Sequence, residues 1–224
     1  MDPFVVLSAA AAVTKTLKLA TGVCLVVQRD PIQTAKLVAS TDQVSGGRFL
    51  FGVGGGWNAE EIEDHGTAFK TRFKLMRERI EAMKEIWTKS TAEYHGEFVN
   101  FPPMMTWPKP VQKPHPPIIV GGAFPHAARR AIRYGNGWVP IAGRAPYGDV
   151  NEYLPKFKQM VAEAGRDPEA MPITLFGGSE GVDLLKRYRG MEVARVVTTL
   201  PPEPADKTLP VLDRWAELIR RLNA

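Results

Sequence analysis

Residues 19–57 have the sequence LATGVCLVVQRDPIQTAKLVASTDQVSGGRFLFGVGGGW, and this stretch decides the fold class. It begins with an apolar, β-branched run at residues 19–27, which is typical of a buried strand. Asp30 and Pro31 then form a helix start, with an N-cap residue and a proline in the first turn. The helix ends at a pair of glycines, and a second short apolar strand follows at residues 48–53. Strand, helix and strand in this order predict a β/α unit with parallel strands.

The same alternation continues to the end of the chain. It gives six strands in series, each followed by helical sequence, with no linker to divide them, so we expect one domain over residues 1–224. Six strands suit either an eight-stranded (β/α) barrel that lacks two strands or an open doubly wound sheet, and periodicity does not choose between them. Helices are predicted at residues 8–18, 31–45, 70–88, 125–134, 150–164, 180–189 and 209–222, and strands at residues 19–27, 48–53, 118–120, 137–141, 173–176 and 193–199.

Residues 92–117 interrupt this rhythm. Residues 94–98 resemble a small hairpin, and seven prolines make the remainder an extended, stiff excursion. We expect the excursion to lie beside the carboxyl ends of the strands. The alternative is a hydrophobic plug under a surface loop.

Composition limits the class of protein. The chain has 224 residues, of which 44% are hydrophobic and 24% charged, as in ordinary globular proteins. Its single cysteine, Cys24, excludes an internal disulfide framework, and no apolar run reaches the roughly 18 residues of a membrane-spanning helix. With no basic region before the first apolar stretch, a signal peptide is not expected, so we predict a cytoplasmic protein. The net charge of +5 is spread along the chain, which favours an anionic small molecule at least as much as nucleic acid.

Two glycine clusters follow predicted strands. The first is GVGGGW at residues 52–57 and the second is VGGAFP at residues 120–125, and each leads into a helix. Glycines let ligand atoms approach the backbone, and free N–H groups at a helix start attract anions. A Rossmann dinucleotide site is disfavoured, because a long helix occupies the place where an acidic strand end is required. Structural turns remain the alternative for both clusters.

The remaining side chains do not nominate a nucleophile. The four histidines lack metal-ligand spacing, and His65 and His126 are better explained as solvated residues although they lie near the glycine clusters. Cys24 falls within a buried strand and is interpreted as inert packing. We therefore expect a cofactor that brings its own chemistry.

Several segments taken together resemble a known family. They are TGV at 21–23, RDP at 29–31, SGGRF at 45–49, GVGGGW at 52–57, PKPVQ at 108–112, PPIIVGG at 116–122 and GNGW at 135–138. In this order and spacing they resemble the luciferase-like monooxygenase superfamily, and within it the oxidoreductases that depend on coenzyme F-420, a deazaflavin. The resemblance covers nearly the whole chain.

The resemblance implies an incomplete TIM-type (β/α)8 barrel of about six parallel strands, with the cofactor ring at their carboxyl ends. A bulge on the first strand of this chain, often with a non-prolyl cis peptide in relatives, would support the ring. The second strand would approach the cofactor through its glycines, and the third would offer amides to the cofactor phosphate. We also predict that the excursion at residues 92–117 makes Trp107 or Phe101 available to shield the ring. The cofactor-binding residues so implied are Gly22, Val23, Cys24, Gly54, Gly55, Gly56, Trp57, Gly121, Gly122, Ala123 and Phe124.

This sequence departs from relatives in two ways. It lacks a glutamate that some relatives carry near Trp57, and it begins where relatives have about two more β/α units. A barrel lacking two strands exposes strand edges and apolar interior, so we expect a homodimer, with Phe4, Leu7, Leu212, Trp215 and Ile219 as apolar anchors.

Three functions follow from the resemblance. The first is hydride transfer between reduced coenzyme F-420 and a small organic substrate. The second is an FMN-dependent monooxygenase, and the third is a non-catalytic member of the family.

Overall fold

The computed structural model describes residues 1–142 and 148–223 and divides the chain into two compact units. Unit 1 comprises Met1–Gly121 and Arg133–Asn136, and unit 2 comprises Gly122–Ile132 and Gly137–Ala224. The single domain expected from the sequence stays a prediction.

Unit 1 is built around a parallel sheet. Its central strand, β3, pairs in parallel with β1, β2 and β6. In the register of this sheet Cys24 lies opposite Val53, and Val53 lies opposite Val120. The elements are α1 (Pro3–Val13), β1 (Leu19–Ala20), β2 (Cys24–Leu25), α2 (Pro31–Ser45), β3 (Phe49–Gly54), α3 (Ala59–Asp64), α4 (Arg72–Thr88), β4 (Ala92–His95), β5 (Asn100–Met104) and β6 (Ile118–Gly121).

The predicted single strand at residues 19–27 is wrong, because the chain leaves the ladder between β1 and β2. Thr21 donates its side-chain hydroxyl to the carbonyl oxygen of Gly52 at 2.7 Å. Its own carbonyl oxygen lies so close that a Cβ at Gly52 would approach it to 1.9 Å. The peptide bond between Gly22 and Val23 is cis. Beyond β2 the chain turns into a 3-10 helix at Val26–Gln28.

The helix ends follow local chemistry. The Asp30 side chain accepts the N–H of Gln33 at 2.8 Å and caps α2, which ends at Gly46 with a φ of 63°. Helix α1 starts and ends five residues before the predicted bounds, 8–18. The side chain of Arg48 satisfies the carboxyl end of α1 by donating to the carbonyl oxygens of Ala11 and Thr14, each at 3.0 Å.

An aromatic cluster joins α1 to the sheet. Phe4 is buried, and its ring centroid lies 6.2 Å from that of Phe49 and 6.4 Å from that of Phe51. The expectation that Phe4 is an anchor for a second subunit is therefore wrong, because this ring is used inside the chain.

The predicted hairpin is present and is longer than expected, with β4 antiparallel to β5. It is attached to α4 by Glu78, a buried residue whose carboxylate accepts the backbone N–H groups of Phe98 at 2.7 Å and Val99 at 3.1 Å. Phe101 is buried beside Tyr94, with 6.4 Å between ring centroids. Phe101 is thus part of the hairpin core, so the idea that it shields a cofactor ring is wrong.

The proline-rich loop after the hairpin lies at the amino ends of the strands, so its expected place beside the carboxyl ends is wrong. Gln112 donates its backbone N–H and its Nε2 to the buried carboxylate of Asp42, at 2.9 and 2.7 Å. Its Nε2 also donates to the carbonyl oxygen of Phe49, the first residue of β3. Lys109 donates to the carbonyl oxygens of Ile86 and Lys89 at the end of α4. These polar attachments hold the loop at the amino ends, where a connection from a helix to the next parallel strand lies in a β/α fold.

Unit 2 repeats the β/α pattern. Strand β8 pairs in parallel with β7 and β9, with Trp138 opposite Ile173. Trp138 packs on Phe157 of α6, with ring centroids 4.8 Å apart. In the part of the chain described here, no helix is long and apolar enough to cross a bilayer. The elements are α5 (His126–Tyr134), β7 (Gly137–Val139), α6 (Val150–Glu163), β8 (Ile173–Phe176), α7 (Val182–Gly190), β9 (Val193–Val197) and α8 (Ala205–Asn223).

Candidate functional site

The carboxyl ends of β2, β3 and β6 are neighbours in unit 1, and Val23 lies over them. A Cβ at Gly54 would be 2.6 Å from Cγ2 of Val23, and one at Gly121 would be 3.0 Å from Cγ1. A side chain at Gly54 would therefore collide with Val23, and one at Gly121 would press tightly against it. The two glycines form a groove that holds this valine in one place.

The space in front of Gly22 is open. The residue is exposed, and a Cβ placed on it would meet nothing within 4 Å. The cis peptide bond between Gly22 and Val23 is at the position of the expected bulge. A peptide supported from behind by Val23 and open in front can carry a flat ligand, and the role of these residues in cofactor binding stays a prediction.

The packing of nearby side chains explains why glycines follow β3. A Cβ at Gly55 would lie 2.5 Å from Cε1 of Phe73. Gly56 has a φ of 70°, and a Cβ there would lie 2.8 Å from Cδ1 of Ile62. Trp57, next in the chain, is 86% exposed, so its indole is free to contact a ligand.

Cys24 does not supply a nucleophile. The thiol is buried, and burial raises its pKa to about 11. It is therefore protonated at neutral pH, in agreement with its interpretation as inert packing. His65 and His126 are both exposed, as expected for solvated histidines.

Sequence reasoning missed Arg72, the first residue of α4. Its guanidinium lies over the ring of Phe69 and over the ring of Phe73, the residue that packs on Gly55. The pattern FKTRF at residues 69–73 was a usable indication, because arginine beside two aromatic residues at a helix start favours stacking.

In unit 2, the second glycine cluster forms the loop before α5. Gly122 has a φ of 128°, and its N–H donates to the carbonyl oxygen of Val139 at 3.1 Å. The amides of Ala123 and Phe124 donate to no acceptor among the residues the structure describes. Nη2 of Arg130 lies 3.7 Å from the Cβ position of Gly122. Two amides and a guanidinium at a helix start are suited to a phosphate.

The ring of Phe124 is used within unit 2. It stacks on Tyr153 with ring centroids 6.1 Å apart and 14° between planes, and it also packs beside Trp138. Burial raises the pKa of Tyr153 to about 12, so this phenol stays protonated at neutral pH. Phe124 can therefore offer a ligand its backbone, while its side chain holds the loop.

Parallel β/α units with glycines at the carboxyl ends of strands define an α/β protein of the TIM-barrel type, in which ligands bind at that end of the strands. Residues 1–178 match the profile of the luciferase-like monooxygenase family. The chain belongs to this family.

A relative by sequence is the uncharacterised protein Rv0953c of Mycobacterium tuberculosis (strain ATCC 25618 / H37Rv). It is 39% identical over 219 residues, which cover 96% of this chain and 75% of the relative.

Solved structures bear out the fold. Monooxygenase RslO1 from Streptomyces bottropensis superimposes with a TM-score of 0.87 at 22% identity, covering all of this chain and 83% of that one. The predicted fold class, an incomplete TIM-type (β/α)8 barrel with six parallel strands, is thereby confirmed for the residues described, with β1 and β2 counted as two parts of one interrupted strand.

Two further structures share the fold at lower coverage. The coenzyme F420-dependent tetrahydromethanopterin reductase from Methanopyrus kandleri has a TM-score of 0.65 at 22% identity, over 82% of this chain and 57% of that one. The oxygenating constituent of 3,6-diketocamphane monooxygenase from Pseudomonas putida, in complex with FMN, has a TM-score of 0.65 at 21% identity, over 84% and 56%.

Proposed function

We propose that this chain is an oxidoreductase that transfers a hydride between reduced coenzyme F-420 and a small organic substrate. The observation that carries the proposal is the Gly22–Val23 peptide, which is open in front and held from behind because Val23 fills the groove of Gly54 and Gly121. A rigid, uncharged support of this kind suits a flat tricyclic ring. When bound, the deazaflavin supplies a ring carbon that gives or accepts the hydride.

The residues of this chain would bind the cofactor and orient its ring. Val23 fixes the position of the ring face, and Gly22 leaves the space that the ring needs. Trp57 is exposed and can cover a bound ligand from water. In unit 2, the amides of Ala123 and Phe124 before α5 would be suited to a phosphate group.

An FMN-dependent monooxygenase is the second candidate. It is favoured by the fold neighbours, because one is a monooxygenase that matches over the whole chain and another was solved in complex with FMN. The same support of Val23 would serve either ring, so the cofactor has to be identified by binding. The cytoplasmic location expected from the sequence also stays a prediction.

The test is a fluorescence titration of the protein with coenzyme F-420 and with FMN. We expect binding of the deazaflavin, and we expect Gly22→Leu to weaken it about tenfold or more, because the new side chain fills the open space in front of the peptide. Gly190→Leu is the matched control, since a Cβ at this exposed glycine also meets nothing within 4 Å.

Each outcome decides something. Tighter binding of FMN than of coenzyme F-420 would favour the monooxygenase. Equal affinities for the cofactor in Gly22→Leu and the wild type would exclude the Gly22–Val23 peptide as its support. Binding without turnover of any hydride acceptor or of oxygen would identify a non-catalytic member.

A further inference from the structure

The indole of Trp138 donates a hydrogen bond to the loop before α5. Trp138 lies on β7 and is fully buried, and its Nε1 lies 3.0 Å from the carbonyl oxygen of Gly122. The indole packs against the rings of Tyr153 and Phe157, with centroid distances of 5.5 and 4.8 Å. Because the indole is packed among aromatic rings and has this N–H as its one donor group, the hydrogen bond has a fixed direction.

This hydrogen bond sets the direction of the next amide in the chain. The peptide between Gly122 and Ala123 is trans and planar, so its N–H points away from its carbonyl oxygen. With the carbonyl turned to Trp138, the N–H of Ala123 faces away from the indole. It donates to no acceptor within residues 1–142 and 148–223. The amide is therefore available to a ligand, and a buried side chain of β7 keeps it in place.

The neighbouring amide is oriented by the helix itself. The carbonyl oxygen of Ala123 accepts the N–H of Ala127 at 2.9 Å, at the start of α5. The peptide that follows is also trans, so the N–H of Phe124 points away from the helix. The N–H of Gly122 is already used, because it donates to the carbonyl oxygen of Val139 at 3.1 Å. Ala123 thus carries the loop amide whose direction depends on a side chain from another element.

We propose that Trp138 is a positioning residue for phosphate binding, because its hydrogen bond to Gly122 aims the amide of Ala123 at the phosphate. The inference rests on the proposed function, since it takes a phosphate-bearing cofactor as the ligand of this loop. Amides that are already held in one direction bind an oxyanion without the cost of ordering the backbone. Without the indole N–H, the Gly122 carbonyl loses its donor and the peptide plane is free to rotate.

The experiment compares ligands that differ by the phosphate. One pair is FMN and riboflavin, and the other is coenzyme F-420 and its deazaflavin ring without the phosphate-bearing side chain. Dissociation constants are measured by fluorescence for the wild type and for Trp138→Phe, which keeps an aromatic ring and loses the donor. A tryptophan analogue with sulfur in place of the ring N–H, inserted at position 138 only, keeps the size of the indole and also loses the donor.

Trp87→Phe is the matched control. Trp87 is also buried, and its Nε1 donates to the backbone carbonyl oxygen of Ala35 at 2.9 Å. The substitution therefore removes the same kind of hydrogen bond, but its acceptor lies inside α2 of unit 1, away from the loop before α5. It measures the effect of lost packing and of a lost indole donor by themselves.

We expect the wild type to bind the phosphate-bearing member of a pair at least about tenfold more tightly, and we expect Trp138→Phe and the analogue to reduce this preference about fivefold. Their affinities for the ligands without phosphate should stay close to those of the wild type. Trp87→Phe should keep the full preference, although it also lowers the melting temperature.

The proposal is overturned if the wild type shows no preference for the phosphate, if Trp138→Phe or the analogue retains the full preference, or if both phenylalanine variants lose it equally. The analogue decides the question if Trp138→Phe does not fold. Failure of the proposed function looks different, because then neither coenzyme F-420 nor FMN binds the wild type at all, and the role of Trp138 falls with it. If only the positioning role fails, both cofactors bind and the variants bind them as the wild type does.

Discussion

The position of the Val23 side chain explains why glycine occupies two sites that lie far from it in sequence. Gly54 and Gly121 end two neighbouring strands, and at either place a Cβ would approach a methyl group of Val23 to 3.0 Å or less. The glycine clusters were interpreted from the sequence as places for ligand approach or for tight turns. At residue scale there is a third reason, which is close packing of the chain on itself.

The buried thiol of Cys24 predicts that the free energy of unfolding depends on pH. Burial raises the pKa of its thiol from 9.0 to about 11, so the unfolded chain loses this proton at lower pH than the folded chain does. The contribution of the thiol to the free energy of unfolding is fully present below pH 9 and is lost as the pH rises towards the folded pKa. We expect a loss of about 1 kcal/mol between about pH 8 and about pH 10.

Urea unfolding over this pH range measures the loss, with Cys24→Ala as the comparison. The alanine variant starts from a lower stability because of the cavity, but the difference between the two proteins should shrink as the pH rises. A difference that stays constant to pH 10 would show that the thiol titrates normally.

At the scale of elements, the hairpin of β4 and β5 is held by one side chain of α4. The buried carboxylate of Glu78 accepts the N–H groups of Glu97, Phe98 and Val99 in the turn. The space is so tight that a Cβ at Gly96 would lie 2.4 Å from this carboxylate. The hairpin therefore belongs to the packing of α4, and only the loop after it reaches the amino ends of the strands.

We expect Glu78→Gln to loosen the hairpin. The amide keeps one acceptor oxygen and turns an NH2 group towards backbone donors, so the free energy of unfolding should fall by about 2 kcal/mol. Hydrogen exchange should quicken at the amides of Phe98 and Val99. Glu85→Gln on the same helix is the control, because Glu85 is only partly buried and pairs with Lys89 at the surface. Unchanged exchange in the turn would show that other contacts hold the hairpin.

At the scale of the whole molecule, α1 presents an apolar surface. Val5 is 67% exposed and Val13 is 83% exposed, and the helix from Pro3 to Val13 contains no charged residue. Large exposed apolar side chains on an uncharged helix are typical of an interaction site. We propose that this face, rather than Phe4, joins two copies of the chain as a homodimer. In α8 of unit 2, Leu212 and Ile219 are exposed, so these two residues stay candidates for a contact with a second copy of the chain.

The mass in solution tests the homodimer. We expect light scattering at micromolar concentration to give twice the mass of one chain, and Val5→Glu with Val13→Glu to shift it towards the monomer, because each buries a charge in the contact. Gln33→Glu adds a charge at an exposed position of α2 and should leave the mass unchanged. A well-folded wild type with the mass of one chain would contradict the proposal.

The sequence by itself determined the order of strands and helices and the family. Apolar runs, caps such as Asp30 and glycine stops are local, so they specify elements without knowledge of their neighbours. It also placed the Gly22–Val23 bulge, through the resemblance of its motifs. The tertiary structure alone decided the hydrogen bond of Thr21 to Gly52 beside that bulge, and the attachment of the proline-rich loop by Gln112 to Asp42. Each of these depends on hydrogen bonds between residues that chain order does not bring together, so the periodicity of the sequence does not indicate them.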